Sequence, residues 1–385
     1  MILGIPVPFL LFAATLLGVA VFHRRSFEVA ITGLAVIAGH ALLTTDLNLA
    51  AHLTHEARLV TNLIGLLLGF AILAKQFEDS RVPDWLPRWL PDDWWGGLAL
   101  LALVGALSTF LDNIAAAMIG GVMANKLYRG RVNVGFLAAI VAASNAGGAG
   151  SVIGDTTTTM MWIAGVPAIH VADAFVGAAA AILVSGIIAA RAQQRVQPIR
   201  KDPASGSPAI DAGRLAVVAL MIAGTIAANV LLDFPAVGLW VAIVIGSAVR
   251  STPWTELARA IKGSLFLCSL VLSASLMPVS SLPDPSWQSA FGLGFVSAVF
   301  DNIPLTALAL FQGGYDWGVL AFAVGYGGSM IWFGSSAGVA VCNLFPEARN
   351  TGRWLAEGWH VAVAYVLGFL ATLVVFGWHP DMLPR

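Results

Sequence analysis

Ser108-Thr109-Phe110-Leu111-Asp112-Asn113-Ile114 is echoed later in the chain by Ser297-Ala298-Val299-Phe300-Asp301-Asn302-Ile303. Each stretch sets an Asp-Asn pair in the middle of a long apolar run. An ionised carboxylate there costs about 2.5–3.5 kcal/mol on insertion scales, and more in simulations. Each pair is followed by a Gly-Gly with a further Gly at a fixed distance, Gly147-Gly148 with Gly154 and Gly327-Gly328 with Gly334. The chain therefore reads as a duplicated unit whose repeated part is polar.

Composition sets the solvent. Of 385 residues 58% are hydrophobic and 11% charged, and the mean hydropathy is +0.84. A soluble domain carries about 25% charged residues, so this is an integral membrane protein. A net charge of −1 excludes electrostatic attraction to nucleic acid. The first apolar run, 2–22, has its basic residues after it (His23-Arg24-Arg25) and no small-residue cleavage site, so it reads as a retained span. Cys268 and Cys342 both fall inside expected spans, which argues against a disulfide framework.

At about 20 apolar residues per span, helices are expected near 2–22, 27–45, 58–76, 133–165, 171–190, 214–232, 235–249, 263–280, 317–345 and 357–378. Two apolar stretches remain, 94–126 and 287–312, each with Asp-Asn at its centre. If both are re-entrant hairpins, eighteen of the 20 Lys and Arg residues lie on one face, and only Arg58 and Arg385 on the other. That asymmetry marks the basic face as cytoplasmic. It also puts both termini on the extracytoplasmic side. Were the two stretches ordinary spans, Arg191 to Lys201 would oppose Arg24-Arg25, so the hairpin reading is preferred.

Each half then holds five spans and one hairpin. An odd number gives the halves opposite orientation, the inverted-repeat plan of secondary transporters. The first repeat is 1–190, with hairpin 94–126 and a helix broken in mid-membrane over 133–165. The second is 214–385, with hairpin 287–312 and broken helix 317–345. Between them 191–213, with Pro198, Pro203, Gly206 and Pro208 among several charges, reads as a cytoplasmic linker. Prolines 83, 87 and 91 among Trp85, Trp89, Trp94 and Trp95 forbid a regular spanning helix there. The tryptophans suit an interfacial belt.

Irregular backbone at membrane depth is tolerated only where protein buries it or a watery cavity meets it. The small, polar run Ser144-Asn145-Ala146-Gly147-Gly148 to Gly154-Asp155-Thr156-Thr157-Thr158-Thr159 is such a segment, matched by Gly327-Gly328 to Gly334-Ser335-Ser336. Carbonyls at such breaks coordinate cations, and half-helix N-termini present positive ends. A purely structural account also exists: the glycines permit close helix packing, and Asp112, Asp155 and Asp301 cap half-helices. Serine or threonine would cap without the cost of burying a charge, and a positive helix end helps keep a carboxylate ionised. Ser335 and Ser336 either donate oxygens to a ligand or bond back to their helix. His52-Leu53-Thr54-His55-Glu56 holds ligand-type residues on what reads as a short external loop, and His40 reads as a satisfied core histidine.

At these residues the chain resembles the ion transporter superfamily, and most closely the NhaD-type sodium/proton antiporters. The likeness is carried by Phe110-Leu111-Asp112-Asn113-Ile114, Ser144 to Gly148 with Gly154 to Thr158, Asp301-Asn302-Ile303-Pro304-Leu305, and Gly327-Gly328-Ser329 with Gly334 to Gly338. It spans roughly 94–345. It implies an elevator-type transporter: hairpins and broken helices move against a homodimeric scaffold in a bacterial inner membrane. Dicarboxylate carriers of that superfamily carry a neutral Ser-Asn-Thr at the hairpin tips. Two fixed anions there would repel a carboxylate and attract a cation.

The expected function is exchange of sodium, or lithium, for protons, with no enzymatic activity and no cofactor beyond sodium as substrate. Asp112, Asp155 and Asp301 are the candidate cation and proton sites. Asn113, Asn145, Asn302, Thr156 and carbonyls near Gly147 and Gly327 would complete an oxygen shell. An arsenite or small-anion carrier is the alternative within transport. An intramembrane aspartyl protease, which also uses two buried carboxylates, lacks its Gly-x-Gly-Asp spacing here.

Overall fold

The computed structural model describes residues 5–22, 25–45, 47–201 and 209–381. Arg24, Pro203, Gly206, Pro208 and Arg385 lie outside the described residues. The chain is all-helical, with no β-strand among the described residues. The first half runs α1 (Val7–Val21), α2 (Ser26–Thr44), α3 (Leu49–Asp79), α4 (Val82–Trp85), α5 (Trp94–Ser108), α6 (Asn113–Leu127), α7 (Val134–Ala149), α8 (Thr156–Ile163), α9 (Ala168–Ala172) and α10 (Ala174–Val196). The second runs α11 (Ala212–Leu232), α12 (Pro235–Ser247), α13 (Thr255–Ser275), α14 (Trp287–Ser297), α15 (Asn302–Gln312), α16 (Trp317–Gly327), α17 (Ser336–Leu344), α18 (Thr351–Glu357) and α19 (Trp359–Phe376).

By length and composition, α2, α3, the run Ala168–Val196, α11, α13 and α19 are able to cross a membrane. With the shorter apolar helices α1, α5, α7, α12 and α16 they make a polytopic membrane protein. Fewer helices reach full length than the ten stretches counted from sequence. The runs 133–165 and 317–345 each divide in two, and α12 holds only 13 residues, about 20 Å of helix. The exterior fits hydrocarbon rather than water: Leu43 is 88% exposed, Leu231 78% and Val244 63%. In water each such side chain would forgo about 1.5–3 kcal/mol of burial.

The interior is built on α7 and α16, in which every residue is buried. Helices this short and apolar on all sides persist only inside a sheath. For α7 the sheath is α5, α6 and α10, and for α16 it is α14 and α19. Glycine lets these helices touch backbone to backbone. A Cβ at Gly147 would overlap the Gly105 carbonyl, and one at Gly327 the Gly294 carbonyl.

The helical pairs α5–α6 and α14–α15 each fold back on themselves. Lys126 at the end of α6 pairs with Asp84 at 2.9 Å, and Arg200 N donates to Leu127 O at 2.9 Å, beside the start of α5. Gln312 at the end of α15 donates to Pro283 O at 2.8 Å, just before α14. The two pairs open at opposite ends of α3. Lys126 shares a vestibule with Lys75, Glu78 and Asp79, whereas Gln312 shares one with His55 and Glu56. Their turns match closely: Asp112 has φ −53°, ψ 141° and Asp301 φ −54°, ψ 139°.

Residues 81–95 form α4, a 3-10 turn at Leu86–Trp89 and a cap at Asp93, as three prolines require. Both cysteines are free and buried. Two expectations are corrected. His52 to Glu56 is not a loop, because α3 begins at Leu49 under an Asn48 cap. His40 is not a core residue; it is partly exposed on α2, with the Thr44 hydroxyl 3.4 Å away.

Candidate functional site

Between the two helix breaks lies a polar knot. Asp155 stands at the N-cap of α8 with extended backbone, and its Oδ1 accepts from Thr157 N at 2.7 Å and Thr157 Oγ1 at 2.6 Å. Its Oδ2 accepts from Asn113 Nδ2 at 2.6 Å. A carboxylate offers about four lone-pair sites, so one stays free for a further partner.

The second hydrogen of Asn113 Nδ2 goes to Asn145 Oδ1 at 3.1 Å. Asn145 Nδ2 in turn donates to Ser329 Oγ at 2.9 Å and Ser335 Oγ at 3.1 Å. An ionised carboxylate only accepts, which fixes the orientation of both amides. Asn145 thus ties the first break to the second. Its amide nitrogen is fully engaged, while Oδ1 accepts one hydrogen bond and keeps a second lone pair.

The knot borders a cavity of about 230 Å³ lined by Asp112, Asn113, Asp155, Thr156, Asn302 and Ser336, with apolar walls from α3 and α13 such as Leu66, Phe70 and Leu267. No Lys or Arg is among its described lining residues. Asp112 stands at the N-cap of α6 without a side-chain capping hydrogen bond. It also borders the larger vestibule with Lys75, Asp79, Arg81 and Lys126. The cavity therefore lies next to the end of the molecule where Lys and Arg mix with carboxylates. Toward the other end, Leu63, Met160, Ile303 and Ala307 pack as a buried apolar layer.

Asp301 lies next to this cavity, close to Asp155 and Ser336. Its carboxylate caps α15 through Ile303 N at 3.0 Å and faces a separate cavity of about 170 Å³ with Leu16, Phe300, Phe333, Ser335 and Ser336. Ser336 borders both cavities. Ser335 caps α17 by accepting from Gly338 N at 3.2 Å. Asn302 Nδ2 is buried without a hydrogen-bond partner.

The glycines serve packing. Gly147 and Gly327 press against α5 and α14, while Gly148 and Gly328 meet the backbone at Gly154 and Gly334. Among the carbonyls near Gly147, Gly148 O accepts one hydrogen bond, from Ser151 N at 3.0 Å. Thr158 Oγ1 donates to Ser151 O and Thr159 Oγ1 to Val152 O. Sequence reading passed over Thr157 and Ser329 as partners of the knot. Their only signal was adjacency to Asp155 and Gly328, and the α3 and α13 walls carry no motif at all.

A protein-family model described as "Citrate transporter" matches residues 1–327. The chain belongs to the CitMHS family. This is a family of transporters, not of enzymes. Among relatives, the chain is similar to "Sodium/proton antiporter 1" of Arabidopsis thaliana, 30% identical over 329 residues, covering 71% of this chain and 54% of that protein. It therefore spans only about half of that relative's length. It is also similar to "Na(+)/H(+) antiporter NhaD" of Halomonas elongata, 27% identical over 377 residues and covering 80% and 74% of the two chains. The protein of that name from Alkalimonas amylolytica is 26% identical over 364 residues, covering 78% and 74%.

Proposed function

We propose that this CitMHS-family protein exchanges sodium, or lithium, for protons, with Asp112 and Asp155 as the shared cation and proton acceptors. One observation carries the reading: two carboxylates border a small, largely apolar cavity whose described lining has no Lys or Arg. Such a site attracts a cation and repels a citrate-like anion. The names of the relatives support the same reading.

In this mechanism Asp155 Oδ2 and Asp112 hold sodium, with Thr156 and Ser336 supplying hydroxyl oxygens. Protonating the carboxylates releases the ion. Asn113 and Asn145 keep Asp155 in place, and Asp301 forms a second, separate acceptor. The repeats are inverted, as supported by hairpins that open at opposite ends of α3. The hairpins and broken helices move together against a dimeric scaffold that includes α3. The positive-inside asymmetry supports a cytoplasmic side at the Lys75–Lys126 vestibule, with both termini outside and the cavity served from the cytoplasm.

The test is sodium-dependent pH change in everted membrane vesicles, followed by half-saturating sodium from about pH 6 to 9. If one proton competes with sodium at one site, each unit of acidification below the site's apparent pKa raises that concentration by up to about tenfold. A flat value with only the maximal rate changing would separate the proton site from the sodium site. Citrate movement without any sodium response would overturn the reading.

A further inference from the structure

The three cavities along α3 share one helix. Its residues His55, Glu56, Arg58 and Leu59 line a vestibule of about 660 Å³ at the end opposite the basic one. Leu63, Leu66, Phe70 and Ala74 line the central cavity, and Ala74, Lys75, Glu78 and Asp79 the basic vestibule. A helix of 31 residues is about 46 Å long, enough to carry one continuous stripe past all three.

On that stripe Glu56 is a carboxylate that the proposed exchange site does not use. It is only 7% exposed although it borders a wide vestibule. The titratable groups facing it are His52 and His55 of its own helix. His52 Nε2 is engaged with Ser275 Oγ of α13 at 2.9 Å. Arg58 is turned away, donating to Leu232 O at 3.5 Å and Asp233 O at 3.1 Å at the corner between α11 and α12. From α8 and α15 the vestibule receives Met160, Trp162, Ile163, Ala307 and Gln312, none of which titrates, and from the end of α11 it receives Asn229 and the carboxylate Asp233.

We propose that Glu56 is the proton-exchange carboxylate of the outer mouth. Its oxygen takes a proton from hydronium in the vestibule, leaving water, and returns it to the transport site when that site faces this end. A proton needs one acceptor atom, whereas a sodium ion needs a shell of several oxygens, and Glu56 itself is nearly closed off from the vestibule. Glu56 lies two helical turns, about 10 Å, from Leu63, whose apolar layer now closes the central cavity on this side. The proton is therefore held at the mouth until the site moves.

The inference rests on the exchange reading and its orientation, and the experiment separates the two. Exchange is measured in right-side-out vesicles while only the external pH is varied, for wild type, Glu56→Gln and Glu56→Asp. In Glu56→Gln the external-pH profile flattens or shifts by about one unit or more, while half-saturating cytoplasmic sodium stays within about twofold of wild type. Glu56→Asp retains a titrating profile. A Glu56→Gln profile of wild-type shape, at full or reduced maximal rate, overturns the inference and leaves the exchange reading intact. Absence of sodium-dependent proton flux in wild type removes both. Should Glu56→Gln fail to accumulate, His55→Lys sets a fixed positive charge beside Glu56 without changing Glu56 itself. It must shift the same profile, and an unchanged profile overturns the inference.

Discussion

The first break, around Asp155, and the second, around Ser335, share a backbone and differ in chemistry. Both half-helices start from an extended residue, φ −142°, ψ 143° at Asp155 and φ −140°, ψ 153° at Ser335. Both are preceded by a glycine pressed against a hairpin arm. Yet the first break has a carboxylate held by Asn113, while in the second the amide of Asn302 is buried without a partner. Serine forms the cap as aspartate does, so the fold does not require the charge at Asp155. Capping alone therefore does not account for a carboxyl at this position.

The largest test of that contrast is charge removal. Asp155→Asn keeps an oxygen for the Thr157 cap but removes the charge. Opposite charges about 4 Å apart at an effective dielectric of 20 interact by about 4 kcal/mol. Half-saturating sodium in everted vesicles is therefore expected to rise nearly a thousandfold. Ser335→Ala loses a cap worth about 1 kcal/mol and one bond to Asn145, yet is expected to keep exchange. Equal losses in both variants would make the two breaks functionally alike.

A second test asks whether the shared backbone is equally strict. Gly147→Ala and Gly327→Ala each force a methyl into a facing carbonyl, at Gly105 and at Gly294. Overpacking of this kind costs about 1–3 kcal/mol, so both variants should lower the apparent melting temperature in detergent by similar amounts. A large effect at one site alone would show that the equivalence is only in outline.

A third test compares the two asparagines. Asn113→Ala strips a buried carboxylate of one donor and should cost about 1–3 kcal/mol together with sodium affinity. Asn302→Ala removes an amide nitrogen that has no partner in this arrangement, and stability should change little or improve. A loss of transport in Asn302→Ala at unchanged stability would mark its amide as a contact made during the cycle.

How much of this was legible follows from scale. Membrane character and helical class rest on sums over many residues, so 58% hydrophobic content was decisive. The interruptions at Gly150–Asp155 and 328–335 were visible because glycine, serine and aspartate are out of place at that depth. Contacts made across the fold were not visible. Asn145, expected in the oxygen shell, also bonds to Asn113, Ser329 and Ser335 across the fold. Asp301, expected beside Asp112 and Asp155, borders a neighbouring cavity with Phe300 and Phe333 that shares Ser336 with theirs. Such pairings depend on which helices meet, and local sequence does not encode that.

The smallest expected effect belongs to a carboxylate outside the membrane that is already neutralised. Asp211 caps α11 through Arg214 N at 3.1 Å and pairs with Arg250 Nε at 3.0 Å. The hydrogen bond from Arg250 holds its carboxyl below the ordinary aspartate range, helped by the backbone bond from Arg214. A depressed folded-state value gives stability that is present above the unfolded pKa, about 3.9, and is lost as pH falls through the folded one. Asp211→Asn should therefore melt slightly below wild type at neutral pH, and the gap should close in acid. Because the pair is near the surface, salt should narrow the gap as well. Of these two carboxylates a sodium-selective response is expected of Asp155, whose cavity has no Lys or Arg in its described lining, and melting curves in sodium against a large organic cation distinguish them. If Asp155→Asn and Asp211→Asn respond to the two salts alike, the cavity carboxylate is not a sodium site.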